Sequence, residues 1–317
     1  MSESPLPPNG ESSKRETLLF MILLSIVCAV ILSTLASVLT EPKEAARELD
    51  RSKQMMIAAH LLDHEGHFLL PKGTETGEDG FVRAIYEGGV LRASREATAA
   101  TSQAMLTLYR SRIVPLLVDD RGQVATFTQK GIDFDTYVNE YKKTGYYRER
   151  EKLVYKVLAN PSSQEEAERY LTNPLTVPAI AWILPINGIG LWDAIYGYLA
   201  IQPDGNTVIG TTWYDQKETP GLGANIAEPS WQKLFPGKKI FQENPDGTTD
   251  YEKAQLGLTV IKGKVAEVFG SQPKAHSAVD GMTGATLTGS GVTAAYKDVL
   301  QAYRPFLLSL RKGNEES

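Results

Sequence analysis

With 317 residues, 42% hydrophobic and 22% charged, the chain has room for one large domain or two smaller ones, and its composition excludes wholesale disorder. A formal net charge of -5, without a basic block interleaved with aromatics, speaks against a nucleic-acid partner. The one cysteine, Cys28, excludes an internal disulfide and a thiolate metal site.

In chain order, residues 1–13 are rich in Pro, Ser and Asn, and a disordered tail is expected to extend to residue 16. Residues 17–40 are uncharged and strongly apolar, and at about 1.5 Å per residue they can cross a bilayer with some tilt. The stretch outruns an ordinary signal-peptide core and no small-x-small cleavage site follows it. An uncleaved transmembrane helix anchored in membrane lipid is therefore expected. Its polar groups, Ser25, Ser33, Thr34 and Ser37, can bond back to the helix, and it holds no acid or base that would mark an ion path. Lys14 and Arg15 precede the span, while Lys43, Arg47, Arg51 and Lys53 follow it; by itself that balance leans against a cytoplasmic N-terminus.

Residues 41–64, rich in Ala, Glu, Lys and Leu, read as a helical stalk. Residues 65–180 read as an α+β region, with strands over 81–86, 113–118 and 124–128 and a hairpin turn at Asp119-Asp120-Arg121-Gly122. Helices are expected over 96–109, 133–143 and 163–171, the last capped by Ser162 or Ser163. A further region, 181–313, carries strand patterns over 181–185, 194–201, 207–214 and 258–261, with a turn at Gln202-Pro203-Asp204-Gly205-Asn206. Strands and helices without strict alternation place the fold in the α+β class. A closing helix is expected to begin near Gly289-Ser290-Gly291, with Val292, Tyr296, Val299, Tyr303, Phe306 and Leu310 on one face and a break near Tyr303 from Pro305.

Just before that helix the chain reads Asp280-Gly281-Met282-Thr283-Gly284-Ala285-Thr286-Leu287-Thr288. Threonine hydroxyls among small residues are open to a bulky reagent, and the helix start offers N–H groups and a positive dipole end to an anion. Read alone, the segment is first a helix cap, with Thr288 or Ser290 as the capping residue. A second run, Glu218-Thr219-Pro220-Gly221-Leu222-Gly223, is a turn whose glycines let backbone amides approach a planar ligand.

Together and in this order, the two runs resemble the FMN-binding domain of the C subunit of the sodium-translocating NADH:quinone reductase, a domain shared with the G subunit of the Rnf complex. Gly188-Ile189-Gly190-Leu191-Trp192 with Ile195-Tyr196-Gly197-Tyr198-Leu199-Ala200, and Pro229-Ser230-Trp231 with Gly237-Lys238-Lys239, are similar to further stretches of that family. The likeness covers about Ile183 to Gly313, plus the N-terminal span. It departs at Thr283, where many members carry serine, and in a longer first half. The resemblance implies a mixed α/β extracytoplasmic FMN-binding domain behind one transmembrane helix, periplasmic on a bacterial inner membrane. It implies FMN bound covalently by a phosphodiester to Thr286, attached by a flavin transferase. Thr219, Leu222, Glu218, Gly221, Asp280, Thr283, Gly284, Ala285 and Thr288 are the cofactor-binding residues it implies, with no catalytic residue. The implied role is an electron-transfer flavoprotein subunit that passes single electrons between neighbouring membrane subunits of a sodium-pumping NADH:ubiquinone reductase. An Rnf-type subunit and a membrane-anchored FMN sensor remain as alternatives, as does an extracytoplasmic module without a cofactor.

Other groups are weighed beside this reading. Gly188-x-Gly190 lacks the third glycine of a dinucleotide fingerprint, so no NAD site is found in the chain. His60, His64 and His67 are spaced as if along one helix face, but solvated or interfacial histidines are the simpler reading and no metal site is assigned. Trp182, Trp192, Trp213 and Trp231 could stack on a flavin ring, with the core as the favoured place for each. Lys262 or Lys264 could neutralise a phosphate, or simply stand at a strand end.

Overall fold

The computed structural model describes residues 12–71 and 80–315. Most of the expected N-terminal tail, up to residue 11, lies outside the described residues. The chain divides into two compact units after Glu48.

In the first unit, helix α1 (Ser12–Val38) is exposed at every position from 14 onward and is long and apolar enough to cross a membrane from Lys14 to Val38. Ser25 Oγ donates to the Met21 carbonyl and Thr34 Oγ1 to the Val30 carbonyl, each at 2.8 Å, so these hydroxyls are satisfied within the helix. The helix starts earlier than residue 17 because Lys14, Arg15 and Glu16 are themselves good helix formers. Helix α2 (Thr40–Ala58) follows and runs across the division. It ends short of the expected residue 64: His60 adopts a left-handed φ of 52° and turns the chain.

From Leu49 onward the second unit is an α+β domain. Its elements after α2 are β1 (Phe68–Pro71), β2 (Phe81–Glu87), β3 (Val90–Ala93), α3 (Ser102–Arg112), β4 (Ile113–Val118), β5 (Val124–Ala125), α4 (Phe127–Lys130) and α5 (Phe134–Tyr141). They continue with β6 (Lys152–Leu158), α6 (Gln164–Thr172), β7 (Ala179–Ile189), β8 (Ala194–Ile201), β9 (Val208–Asp215) and α7 (Pro229–Gln232). The last are β10 (Thr259–Val260), α8 (Val265–Val268), β11 (Ala278–Val279), α9 (Thr286–Ala302) and α10 (Arg304–Glu315). An antiparallel six-stranded sheet in the order β5-β4-β6-β7-β8-β9 forms the centre, so residues on both sides of position 180 share one sheet. Beside it are an antiparallel β1-β2-β3 sheet and a short parallel β10-β11 pair.

Side chains alternate across the central sheet, as a period of two requires. Val154, Trp182, Leu184 and Leu199 join one core with Val292, Tyr296, Val299, Tyr303 and Phe306 of the closing helices. Leu153, Tyr155, Ile183 and Ala200 join another with Met55, Met56, Leu61, Phe68 and Leu108. Both faces are therefore covered. This is why β6 escapes the sequence reading: all seven of its residues are buried, and its lysines break the apolar run. Lys156 Nζ donates to the Pro174 and Leu175 carbonyls at 3.0 and 3.2 Å, and Lys152 reaches Asp120 at 2.5 Å.

Several boundaries move for local reasons. The strand expected over 124–128 stops at Ala125 because Thr126 and Gln129 exchange capping-box bonds that start α4. Helix α3 starts at Ser102, not residue 96, with Thr101 Oγ1 accepting from Ala104 N at 3.2 Å. Helix α9 starts at Thr286, ahead of the glycines expected to open it. Those glycines serve close packing: a Cβ on Gly291 would overlap the Ile189 carbonyl of β7, and one on Gly188 would lie 2.6 Å from Ala295 Cβ. The break before Pro305 falls at Tyr303.

Candidate functional site

Three loops meet at the head of α9. The first is the Gly190–Asp193 turn of the β7–β8 hairpin, closed by Gly190 N donating to the Asp193 carbonyl at 2.9 Å. The second is Glu218–Gly223 after β9, and the third is Asp280–Ala285. Trp192 Nε1 donates to Thr219 Oγ1 at 3.1 Å, tying the first loop to the second. Gly284 has φ +74°, and a Cβ there would lie 2.9 Å from Leu222 Cδ2, so the third loop rests on the second where only glycine fits. Three large apolar side chains stand on the outer surface: Leu222 is 42% exposed, Leu287 63% and Trp192 67%.

Thr286 is the exposed first residue of α9, and Thr283 and Gly284 beside it are also exposed. The expected cap is absent: Ala285 holds the N-cap position without a side-chain bond, and Ser290 Oγ donates back to the Thr286 carbonyl at 3.0 Å. The helix start thus keeps N–H groups that no N-cap side chain satisfies. Thr288 and Glu218 face the other way. Both are buried, and the Thr288 hydroxyl donates to Glu218 Oε2. Thr219 and Gly221 are exposed on the second loop, while Ala285 is buried.

Asp280 braces the third loop from behind. Its Oδ1 accepts from Val265 N at 2.8 Å, its Oδ2 lies 3.1 Å from Lys264 Nζ, and its carbonyl accepts from Trp231 Nε1 at 3.1 Å. Burial pushes its carboxyl up, but the Val265 N–H and the Lys264 ammonium outweigh this and hold it below the usual carboxylate range. Trp231, Trp213 and Trp182 are core residues, whereas Trp192 lies on the surface of the site. Ile189 and Leu191, from the same Gly188–Trp192 stretch, are also exposed, although neither stands out as a site residue in the sequence.

The histidines do not share a helix face, because α2 ends before them. His67 Nδ1 lies 3.0 Å from Asp63 Oδ2, and Arg83 Nη2 lies 2.5 Å from Glu65 Oε2; Asp63, Glu65 and His67 gather their ligand atoms within 4.8 Å. His60 and His64 line a cavity of about 550 Å³ with Gln232 and Thr211, and none of its lining residues belongs to the three loops. Burial and the Lys233 ammonium push the His64 imidazole down from its ordinary value.

The fold and these loops define a flavin-domain protein: a model of the FMN-binding domain matches residues 190–301, which contain all three loops. The chain is 42% identical to the C subunit of the Na(+)-translocating NADH-quinone reductase of Chlamydia caviae, over 99% of this chain and 97% of that one. It is 33% identical to the same-named protein of Pasteurella multocida, over 94% of each chain. A crystal structure of the corresponding protein from Parabacteroides distasonis aligns at 26% identity and a TM-score of 0.44, over 66% of this chain and 85% of that one. The chain belongs to the family of C subunits of the Na(+)-translocating NADH-quinone reductase.

Proposed function

We propose that this chain is the flavin-carrying electron-transfer subunit of a membrane sodium-pumping NADH:ubiquinone reductase. In this reading FMN is esterified to Thr286, and single electrons pass between neighbouring membrane subunits through it. The Lys14–Val38 helix is its single inner-membrane anchor, and the domain from Leu49 onward is periplasmic. The observation that carries the reading is the Thr286 side chain, exposed at the uncapped start of a 17-residue helix and flanked by an apolar surface.

The residues present fit the group. The uncapped N–H groups and the dipole of α9 suit a phosphodiester. Leu222, Trp192 and Thr219 offer an apolar face with one hydroxyl to the side of a planar ring. The bare backbone at Gly284 keeps the approach to Thr286 open. Bound flavin supplies the redox chemistry, and the chain binds, orients and shields it. NADH oxidation falls to another subunit, since this chain carries no dinucleotide fingerprint. The α1 span, without an acidic or basic residue between Thr17 and Val38, is an anchor and not a sodium path.

Attachment is a phosphoryl transfer without a redox change. The Thr286 Oγ–H bond breaks, the Oγ–P bond forms, and the proton passes to a base on the flavin transferase. Condensing an alcohol with a phosphate monoester in water is unfavourable, so the donor is an activated flavin phosphoanhydride whose P–O–P bond breaks and whose other phosphate leaves. The test is co-expression with a flavin transferase, followed by flavin fluorescence in a denaturing gel. The wild-type band is expected to fluoresce and the Thr286→Ala band to be dark. A dark wild type, or a Thr286→Ala band as bright as wild type, rejects the covalent link.

A further inference from the structure

We infer that Glu218 is a positioning residue that selects Thr286 for modification by holding Thr288 inward. This rests on the proposed attachment at Thr286 and concerns how the chain presents that hydroxyl.

Glu218 is only 4% exposed. Its Oε1 accepts from Leu191 N at 2.9 Å and Trp192 N at 3.0 Å, and its Oε2 accepts from the Thr288 hydroxyl. A buried carboxylate is costly unless donors meet its lone pairs, and here they come from two other segments of the chain. The space for it is bounded by glycine on both sides. A Cβ on Gly190 would lie 2.5 Å from Oε1, and one on Gly223 would lie 2.7 Å from Oε2 and overlap the Thr288 hydroxyl. One acid thus joins the β7–β8 turn, its own loop and the first turn of α9. The two partners Glu218 and Thr288 are 70 residues apart in sequence.

The consequence for Thr286 is geometric. Each helical residue advances by about 100°, so positions 286 and 288 point about 160° apart, to nearly opposite sides of the helix. With Thr288 fixed against Glu218 at 0% exposure, Thr286 is turned to solvent. The Thr288 hydroxyl, which a transferase could otherwise mistake for its target two residues away, is both buried and committed as a donor. Thr283 is exposed but precedes the helix, and Ser290 Oγ is engaged with the Thr286 carbonyl, so the selection concerns the two threonines in the first turn of α9.

The experiment uses the full-length membrane protein co-expressed with a flavin transferase. Flavin per protein is read from denaturing-gel fluorescence, the attachment site by peptide mass spectrometry, and folding by thermal melting. Glu218→Gln can still accept the two backbone N–H groups and donate to the Thr288 oxygen, and Thr288→Ser keeps the hydroxyl. Both are expected to retain labelling at Thr286 within about twofold. Glu218→Ala and Thr288→Val are expected to lower labelling at Thr286 by about tenfold or more while folded, and Glu218→Ala to yield label on Thr288 as well. Folded Glu218→Ala labelled like wild type, on Thr286 alone, would overturn the inference. If Glu218→Ala does not fold, Thr288→Val, which keeps the side-chain shape but cannot itself be labelled, decides it by level alone: undiminished label at Thr286 in the folded variant overturns the inference. An unlabelled wild type, or undiminished label in Thr286→Ala, instead defeats the attachment itself, so the two failures are distinguishable.

Discussion

Thr286 and Thr288 share a helix turn but not a surrounding, and similar single-atom contrasts govern the residues around them. Gly284 holds φ +74° with its Cα hydrogen facing Leu222. Gly284→Ala costs about 1–2 kcal/mol for the left-handed backbone alone, and the methyl would also displace Leu222. A lower melting temperature together with reduced flavin incorporation is expected, both measurable on the purified protein. Asp280 predicts a pH effect. Its folded pKa lies below the unfolded value, so its contribution is present above about pH 4 and is lost as pH falls through the folded pKa. The melting-temperature gap between wild type and Asp280→Asn should narrow as pH is lowered from about 6 to about 3; a constant gap would refute the assignment. Farther from the site, Arg112 is 1% exposed and is held by neutral acceptors: Nε and Nη2 donate to the Leu158 carbonyl at 2.9 and 2.6 Å, and Nη1 to Asn160 Oδ1 at 2.8 Å. Burial lowers its pKa to about 10, which still leaves it charged at neutral pH. Arg112→Ala should cost about 3 kcal/mol in urea unfolding, through unpaired acceptors and a cavity, and Arg112→Lys should not restore the loss because the fork of donors is gone.

Among the elements, α9 on β7 decides whether the site exists. The helix approaches the strand at Gly188 and Gly291, where side chains are excluded by the Ala295 Cβ and the Ile189 carbonyl. Gly291→Leu is expected to lift the head of α9, with a loss of about 1–3 kcal/mol and disordered attachment chemistry; circular dichroism melts and gel fluorescence would follow both. This contact also explains which features are legible in the sequence. Strands β2, β4 and β8 are legible from their β-branched and aromatic runs, and the α9–α10 face from steps of three and four. Strand β6 carries no alternation because both of its faces are buried, and the glycines of α9 read as a helix boundary because their packing partner is remote in the chain. The site divides in the same way. Thr286 and Leu222 stand out through local runs, whereas the Glu218–Thr288 pairing and the exposure of Trp192 depend on which loops meet.

For the whole molecule, the buried residues of the two core clusters all come from Met55 onward. A chain beginning at Leu49 should therefore be soluble without detergent and melt within about 4 °C of the full-length protein; aggregation or a much lower transition would show that the apolar helix supports the fold. The closing helix has a further mechanical meaning. Tyr296 meets the Thr211 hydroxyl on the edge strand β9 at 2.7 Å, and Tyr303, which caps α9, donates to the Leu153 carbonyl on the inner strand β6 at 2.6 Å, so α9 is tied to the sheet at two separate strands. In the proposed attachment, a prosthetic group on its first residue would ride on a helix packed into the domain core rather than on a slack tether. Its separation from any electron donor or acceptor would then change only when the entire domain moves, making tunnelling distance a property of docking rather than of local fluctuation.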